Sequence, residues 1–189
     1  MTTATTTTTE STLTGDYDID ASHSRIGFAA KHAMVATVRG QFTDYRAEVH
    51  LDEENPAASS VRLEIDTASI DSRNADRDAH LRTADFFDVE TYPTIVFQST
   101  KVEKTDDDVY AVIGDLTIKA TTSPVSVEFE LTGTTTDPWG NFRLGFEGRT
   151  TVNRRDWGLA WNMPLDKGGV LVSEKVKLEF DISATRKSA

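Results

Sequence analysis

Alternation of apolar and polar side chains at every second position runs through most of this chain. In "SRIGFAAKH" Ile26, Phe28 and Ala30 face away from Arg25, Gly27 and Lys31. "YRAEVHL" sets Tyr45, Ala47, Val49 and Leu51 against Arg46, Glu48 and His50, and "VRLEIDT" sets Val61, Leu63 and Ile65 against Arg62, Glu64 and Asp66. Further on, the same rule gathers Tyr110, Val112, Gly114, Leu116 and Ile118, then Val125, Val127, Phe129 and Leu131. Near the end it gathers Phe142, Leu144 and Phe146, and finally Val176, Leu178, Phe180 and Ile182. A strand turns successive side chains to opposite faces, so this period predicts eight to ten half-buried antiparallel strands. Turn-forming clusters separate them: "ENPAAS", "KTDDDV", "TTSP" and "DPWGN".

One segment breaks the period. "RDAHLRTADFFD", residues 77–88, is charged, carries a histidine and ends in two phenylalanines. Asn74 is placed to cap a short helix there, with Asp76 and Asp78 at its positive end and Asp78–Arg82 spaced for an i,i+4 ion pair. Asp85 is placed to cap one further turn, and Tyr92-Pro93 returns the chain to extended backbone. A helix this short cannot form a layer of its own. Eight or more strands then leave two architectures open, a two-sheet sandwich or a closed barrel.

Composition narrows the function. The net charge of −11 disfavours nucleic acid and anionic bilayers as partners held by a basic patch. Without cysteine there is no disulfide, thiol nucleophile, cysteine–zinc site or iron–sulfur cluster. The opening "MTTATTTTTEST" has no cation and no apolar run, so residues 1–13 read as a disordered threonine-rich tail, 14–186 as one domain, and the compartment as cytoplasmic. No apolar stretch of membrane-spanning length occurs. His23, His32, His50 and His80 fall on separate segments at no metal-ligand spacing, and no phosphate loop precedes a helix, so neither cofactor nor metal is expected. Within the helical segment, His80 with Asp76, Asp78 and Asp85 has the makings of an acid–base cluster or of a set of local caps.

Several ordered stretches resemble the YceI-like family of polyisoprenoid-binding proteins: "DIDASHSRIGFAAKH", "VRGQF", the run from "VRLEIDTASI" through "RDAHLRTADFFDVETYPTIVF", "GDLTIKATTSPV", and "VNRRDWGL" followed by "VSEKVKLEFDI". They extend from about residue 16 to 184. The resemblance implies an all-β, elongated, eight-stranded antiparallel lipocalin-like barrel with one short helix and an apolar lumen holding a long-chain isoprenoid or fatty-acid-like lipid. It implies a non-enzymatic role in binding, sequestration or transport, leaves a homodimer open, and suggests no stable membrane insertion, although many relatives are periplasmic. The residues then set to line the lumen are Phe28, His32, Phe42, Ile65, Leu81, Phe86, Phe87, Phe97, Leu116, Phe129, Phe142, Phe146 and Trp157. Candidates for a polar head group are Arg77, His80, Arg154 and Arg155, because arginine's forked donors suit an anion. Residues 77–88 become a lid, with Leu81, Phe86 and Phe87 turned inward and the charges left in solvent. Two rival readings remain: an enzyme acting on a lipid with His80 or His32 as acid–base, and an interaction module whose barrel is filled by its own side chains.

Overall fold

The computed structural model describes residues 12–188. Eleven strands form one sheet: β1 (Gly15–Ile19), β2 (Arg25–His32), β3 (Ala36–Phe42), β4 (Tyr45–Leu51), β5 (Ser60–Asp66), β6 (Ile70–Asp71), β7 (Thr94–Asp106), β8 (Val109–Ile118), β9 (Thr121–Thr136), β10 (Phe142–Asn153) and β11 (Val172–Arg186). The neighbour order β1-β4-β5-β7-β8-β9-β10-β11 closes on itself, because β1 also pairs with β11. β2, β3 and β6 do not widen the ring. They extend β1, β4 and β5 end to end: β11 pairs with β1 near Arg186 and with β2 from Asp181 to Val172. β3 then pairs with β2, and β6 with β3. Eight wall positions result, five of them single long strands and three jointed, all antiparallel. The sandwich is excluded.

The joints have local causes. Between β1 and β2, Asp20 caps the short turn Ala21–His23 by accepting from Ser22 N. Its own backbone N–H donates to Ser183 O, so the kink stays attached to β11. The joint between β5 and β6 repeats the device, with Asp66 accepting from Ala68 N.

Two ends follow from the strand directions. One, the tail end, gathers residues 12–14, the turns at 52–59, 106–108 and 137–141, and the end of β11. The other, the helix end, gathers the turns at 33–35 and 119–120, the loop 154–171 and α1 (Ala75–Arg82). Of the expected tail 1–13, residues 1–11 lie outside the described residues. Leu13 belongs to the fold: it is only 8% exposed. Among the described residues no helix is long and apolar enough to cross a membrane.

Asn74 caps α1, accepting from Arg77 N at 2.9 Å. The expected Asp78–Arg82 ion pair is not made. Asp78 turns inward and accepts from Ser72 N (2.9 Å) and Ser72 Oγ, while Arg77 donates to Ser72 Oγ and Ser72 O, each at 2.7 Å. Arg82 donates instead to Ala68 O and Ile70 O, both at 2.9 Å. Asp85 caps nothing; it meets His80 Nε2 at 2.9 Å. Arg77, Asp78 and Arg82 thus fasten the helix, because backbone groups left unpaired around β6 would cost more than exposed ion pairs return.

Candidate functional site: an apolar cavity along the barrel

The inward faces meet only in part: Ile26, Ile65 and Ile95 pack together, with Leu116, Phe180 and Ile182 against them. They leave a cavity of about 290 Å³, walled from all eight strand positions and running from Leu13, Val102 and Tyr110 at the tail end to Trp157, Leu159 and Val172 at the helix end. Every inward set read from the alternation contributes, including Ile26, Phe28 and Ala30 of β2, Val61, Leu63 and Ile65 of β5, and Val176, Leu178, Phe180 and Ile182 of β11. Along β11 the wall runs from Val172 to Ala184, which at 3.3 Å per residue and a barrel tilt near 40° spans roughly 30 Å of axis. The atoms facing the space are almost all carbon.

What keeps the space open is the way aromatic rings lie along the wall. Phe28 sits over Gly40 and Phe129 over Gly148, each pair directly opposed across neighbouring strands, and Phe97 lies over Gly114. A Cβ at Gly40 would come within 2.3 Å of the Phe28 ring, and one at Gly148 within 2.6 Å of Phe129. Each glycine therefore lets a ring fold flat instead of projecting into the lumen.

Of the thirteen residues expected on the wall, eleven are there: Phe28, Phe42, Ile65, Leu81, Phe86, Phe87, Phe97, Leu116, Phe129, Phe146 and Trp157. His32 is a correction. It ends β2 opposite Ala36 and is solvent-exposed, since the strand has left the barrel mouth by that residue. Phe142 is the other. It shares a face with Leu144 but packs at the tail end against the cluster of Tyr17, Leu144 and Ala184, with the Arg186 guanidinium 4.2 Å from its ring centre.

The four head-group candidates are already engaged. Arg154 alone reaches the wall. It is 6% exposed, and its three guanidinium nitrogens donate to the carbonyls of Ser173 (3.0 Å), Leu159 and Val172 (3.3 Å). Burial pulls its pKa below the usual arginine value, and nearby Glu174 opposes that shift. Arg155 points outward to Glu174 at 2.8 Å. Arg77 is bound to Ser72, and His80 stands between Asp85, Trp161 and Phe86, with ring centres 4.7 Å and 5.1 Å away. Neither His80 nor His32 faces the cavity, so neither is within proton-transfer reach of a guest there.

Polar residues that do border the cavity went unforeseen. Asp52, Glu53 and Ser59 stand at the tail end in the turn after β4. "ENPAAS" reads as a plain turn, and nothing in its spacing marks it as the rim of a mouth. Their polar atoms are turned to the backbone: Asp52 accepts from Asn55 N, Ser59 Oγ from Asp52 N, and Glu53 from Thr12 Oγ1 and Leu13 N. Trp157 closes the opposite end. It lies in the 3-10 turn Arg154–Trp157 with its indole N–H donating to Leu116 O at 2.8 Å. Gly158, at φ 73°, stops that turn in a left-handed conformation suited to glycine. Among the described residues no three His, Asp or Glu side chains converge as a metal site would require.

The comparisons with known proteins agree with this geometry. BcnA of Burkholderia cenocepacia superposes with a TM-score of 0.78 at 26% identity, over 89% of this chain and all of that one. The YCEI protein of Campylobacter jejuni gives 0.72 at 28% identity, over 95% and 99% of the two chains. A polyisoprenoid binding domain from Saccharophagus degradans shares the fold at 12% identity, with a TM-score of 0.66 over 90% of this chain and 98% of its own. In sequence, a UPF0312 protein of Pseudomonas aeruginosa is 37% identical over 176 residues, 92% of this chain and 88% of the relative. One from Yersinia pestis is 39% identical over 158 residues, 82% of each. The YceI-like domain matches residues 17–184, essentially the whole barrel, and the chain belongs to that family.

Proposed function

We propose that this protein binds a long-chain isoprenoid or similar lipid inside the barrel and acts as a container or carrier without catalysing a reaction. One observation carries the reading: an apolar cavity of about 290 Å³ extends through the barrel, roughly twice the ~150 Å³ at which an apolar protein cavity stays dry and takes up a hydrocarbon. The fold shared with the polyisoprenoid binding domain of Saccharophagus degradans is in keeping with such a guest.

Energetics shape what kind of guest fits. Each buried methylene contributes about 0.8 kcal/mol against water but almost nothing against a bilayer, which is equally apolar. Retention must therefore come from the dispersion contacts that a poorly hydrated cavity lacks until it is filled. Because the arginines and carboxylates near the wall are spent on backbone groups, the lumen selects for hydrocarbon shape, and a polar end of the guest lies outside it. This favours tolerance of several head groups over recognition of one.

The test uses Trp157 as reporter. With Trp139 and Trp161 replaced by phenylalanine, Trp157 is the sole indole, and titration with a long-chain polyprenyl quinone should quench it saturably at one per chain. Gly40→Ala and Gly148→Ala push a ring into the lumen and should each weaken binding about tenfold, the equivalent of about two lost methylene contacts. Absence of saturable quenching, or indifference to both substitutions, would remove the reading.

A further inference from the structure

We propose that the helix end carries a docking surface for an anionic phospholipid bilayer, formed by two neighbouring hairpin tips, residues 33–35 and 162–171. Three large apolar side chains stand in solvent there: Met34 (58% exposed), Val35 (81%) and Met163 (53%), with Pro164 exposed beside them. The tips are joined. Ala33 N donates to Leu171 O at 2.7 Å, and Met34 lies against Gly169, where a Cβ would meet Met34 Cγ at 3.2 Å.

Backbone conformation makes the first tip unusual. Ala33 (φ 49°) and Met34 (φ 64°) are consecutive residues with positive φ, and Val35 N donates to His32 O, the arrangement of a type I′ turn. That turn favours Asn-Gly, and a side chain such as methionine there is strained. Local stability alone does not place Met34-Val35 on this turn; a partner for the exposed side chains would.

Shape and charge say which partner. Four side chains on narrow tips offer on the order of 300–400 Å², less than half the about 800 Å² per partner of a stable protein interface, but enough to enter a headgroup layer. Lys31 and Lys167 flank the tips, opposed by Asp166. At the tail end the turns expose Glu53, Glu54, Asp106, Asp107 and Asp108. Acid is exposed at the helix end as well, at Asp76, Asp85, Glu90, Asp156 and Asp166, but there it is interspersed with Lys31, Arg73, Arg155 and Lys167, whereas the tail-end turns 52–59, 106–108 and 137–141 carry no cation. The net charge of −11 that disfavours an anionic bilayer for the chain as a whole is therefore weakest at the helix end, which is the end turned to a negative membrane. Trp139, 82% exposed at the tail end, stands on the acidic side and is not part of the surface. Docking by the helix end brings the wall residues Leu159 and Val172, which precede and follow the second tip, toward the lipid.

The reading of the barrel as a lipid container gives docking its purpose, but vesicle association is measured without reference to any guest, so either can fail alone. The experiment is co-sedimentation with vesicles of 3:1 phosphatidylcholine and phosphatidylglycerol, and with phosphatidylcholine alone. The wild type should sediment with the anionic vesicles and release in high salt. The triple variant Ala33→Asn/Met34→Gly/Val35→Thr supplies the favoured turn, so its melting temperature should be equal or higher while its vesicle-bound fraction falls severalfold. The proposal is overturned if the wild type stays in the supernatant or if the variant sediments like the wild type. Loss on Trp139→Ser instead, or a wild-type dimer that the triple variant converts to monomer with no vesicle binding by either, would overturn it equally.

Discussion

At the helix end the barrel is stitched shut by buried polar bonds, whereas at the tail end three residues are laid across the mouth. The helix end spends Arg154 on three carbonyls, Trp157 on a fourth and Asp78 with Arg77 on Ser72. The tail end relies on Leu13 seated in the cavity, with its N–H held by Glu53 (2.8 Å), its carbonyl by Tyr17 Oη (2.8 Å), and Thr12 O by Arg186. The polar groups of the helix end are locked away from water, where losing a partner is costly. At the tail end Thr12 and Glu53 stand exposed at the rim, where water substitutes readily, and only the bond from Tyr17 Oη to Leu13 O is buried. Closure of the same lumen is thus cooperative with the core at one end and local at the other.

The sharpest way to break this comparison is Arg154→Ala. It takes the guanidinium from the Ser173 and Leu159 carbonyls, while Val172 O keeps Asn162 Nδ2 as a donor at 2.7 Å, and should cost about 3 kcal/mol in urea unfolding, with Arg154→Lys recovering less than half because one ammonium cannot serve the same fork. Arg155→Ala, one residue along and outside, should stay within about 0.5 kcal/mol. Equal losses from the two would erase the distinction between stitched and laid-over ends.

Leu13→Ala comes next, at about 1–2 kcal/mol, below the usual range for a core leucine because the site can collapse and fill from solvent. Its effect should be confined: amide exchange should speed up at Leu13 and Glu53 and stay unchanged at Gly158 and Leu159. Acceleration at both ends would mean that the ends open together.

The smallest effect is on pH. Arg143 joins Asp137 (2.8 Å) and Asp20 (2.9 Å) at the tail end. Both carboxyls are held well below their ordinary values, Asp137 chiefly by Arg143, and Asp20 first by Ser22 and then by Arg143 and His23. A depressed folded pKa contributes stability that is complete above the unfolded value, near 4, and is lost as pH falls toward the folded one. The melting temperature should therefore fall below about pH 4, and the gap between wild type and Arg143→Gln should narrow from pH 6 to pH 2. A gap that stays constant would show that the pairs are not what acid removes.

Much of this was legible in the sequence. Strict alternation located the inward faces, because burial on one side of a twisted sheet leaves little choice of register. Leu81, Phe86 and Phe87 stood out against a charged helix and do line the cavity. The misreadings have separate causes. Periodicity ends at Asn153, and a 3-10 turn then sends Arg154 in and Arg155 out, so two adjacent arginines with the same outlook in sequence have opposite fates. Asp78 looked like a helix-surface charge, but the backbone donor it serves lies outside the helix, at Ser72. Phe142 obeys the alternation and still misses the lumen, because Tyr17 and Arg186 from distant strands occupy that level.

The central claim, that the wall encloses space for an apolar molecule, is tested most directly by native mass spectrometry of the protein incubated with a long-chain polyprenol and freed of excess lipid. The account predicts an added mass of one polyprenol per chain, extractable into organic solvent and sharply reduced in a Gly40→Ala/Gly148→Ala variant that still melts cooperatively. A spectrum showing only the bare chain at every lipid concentration, or equal loading of the variant, would contradict it.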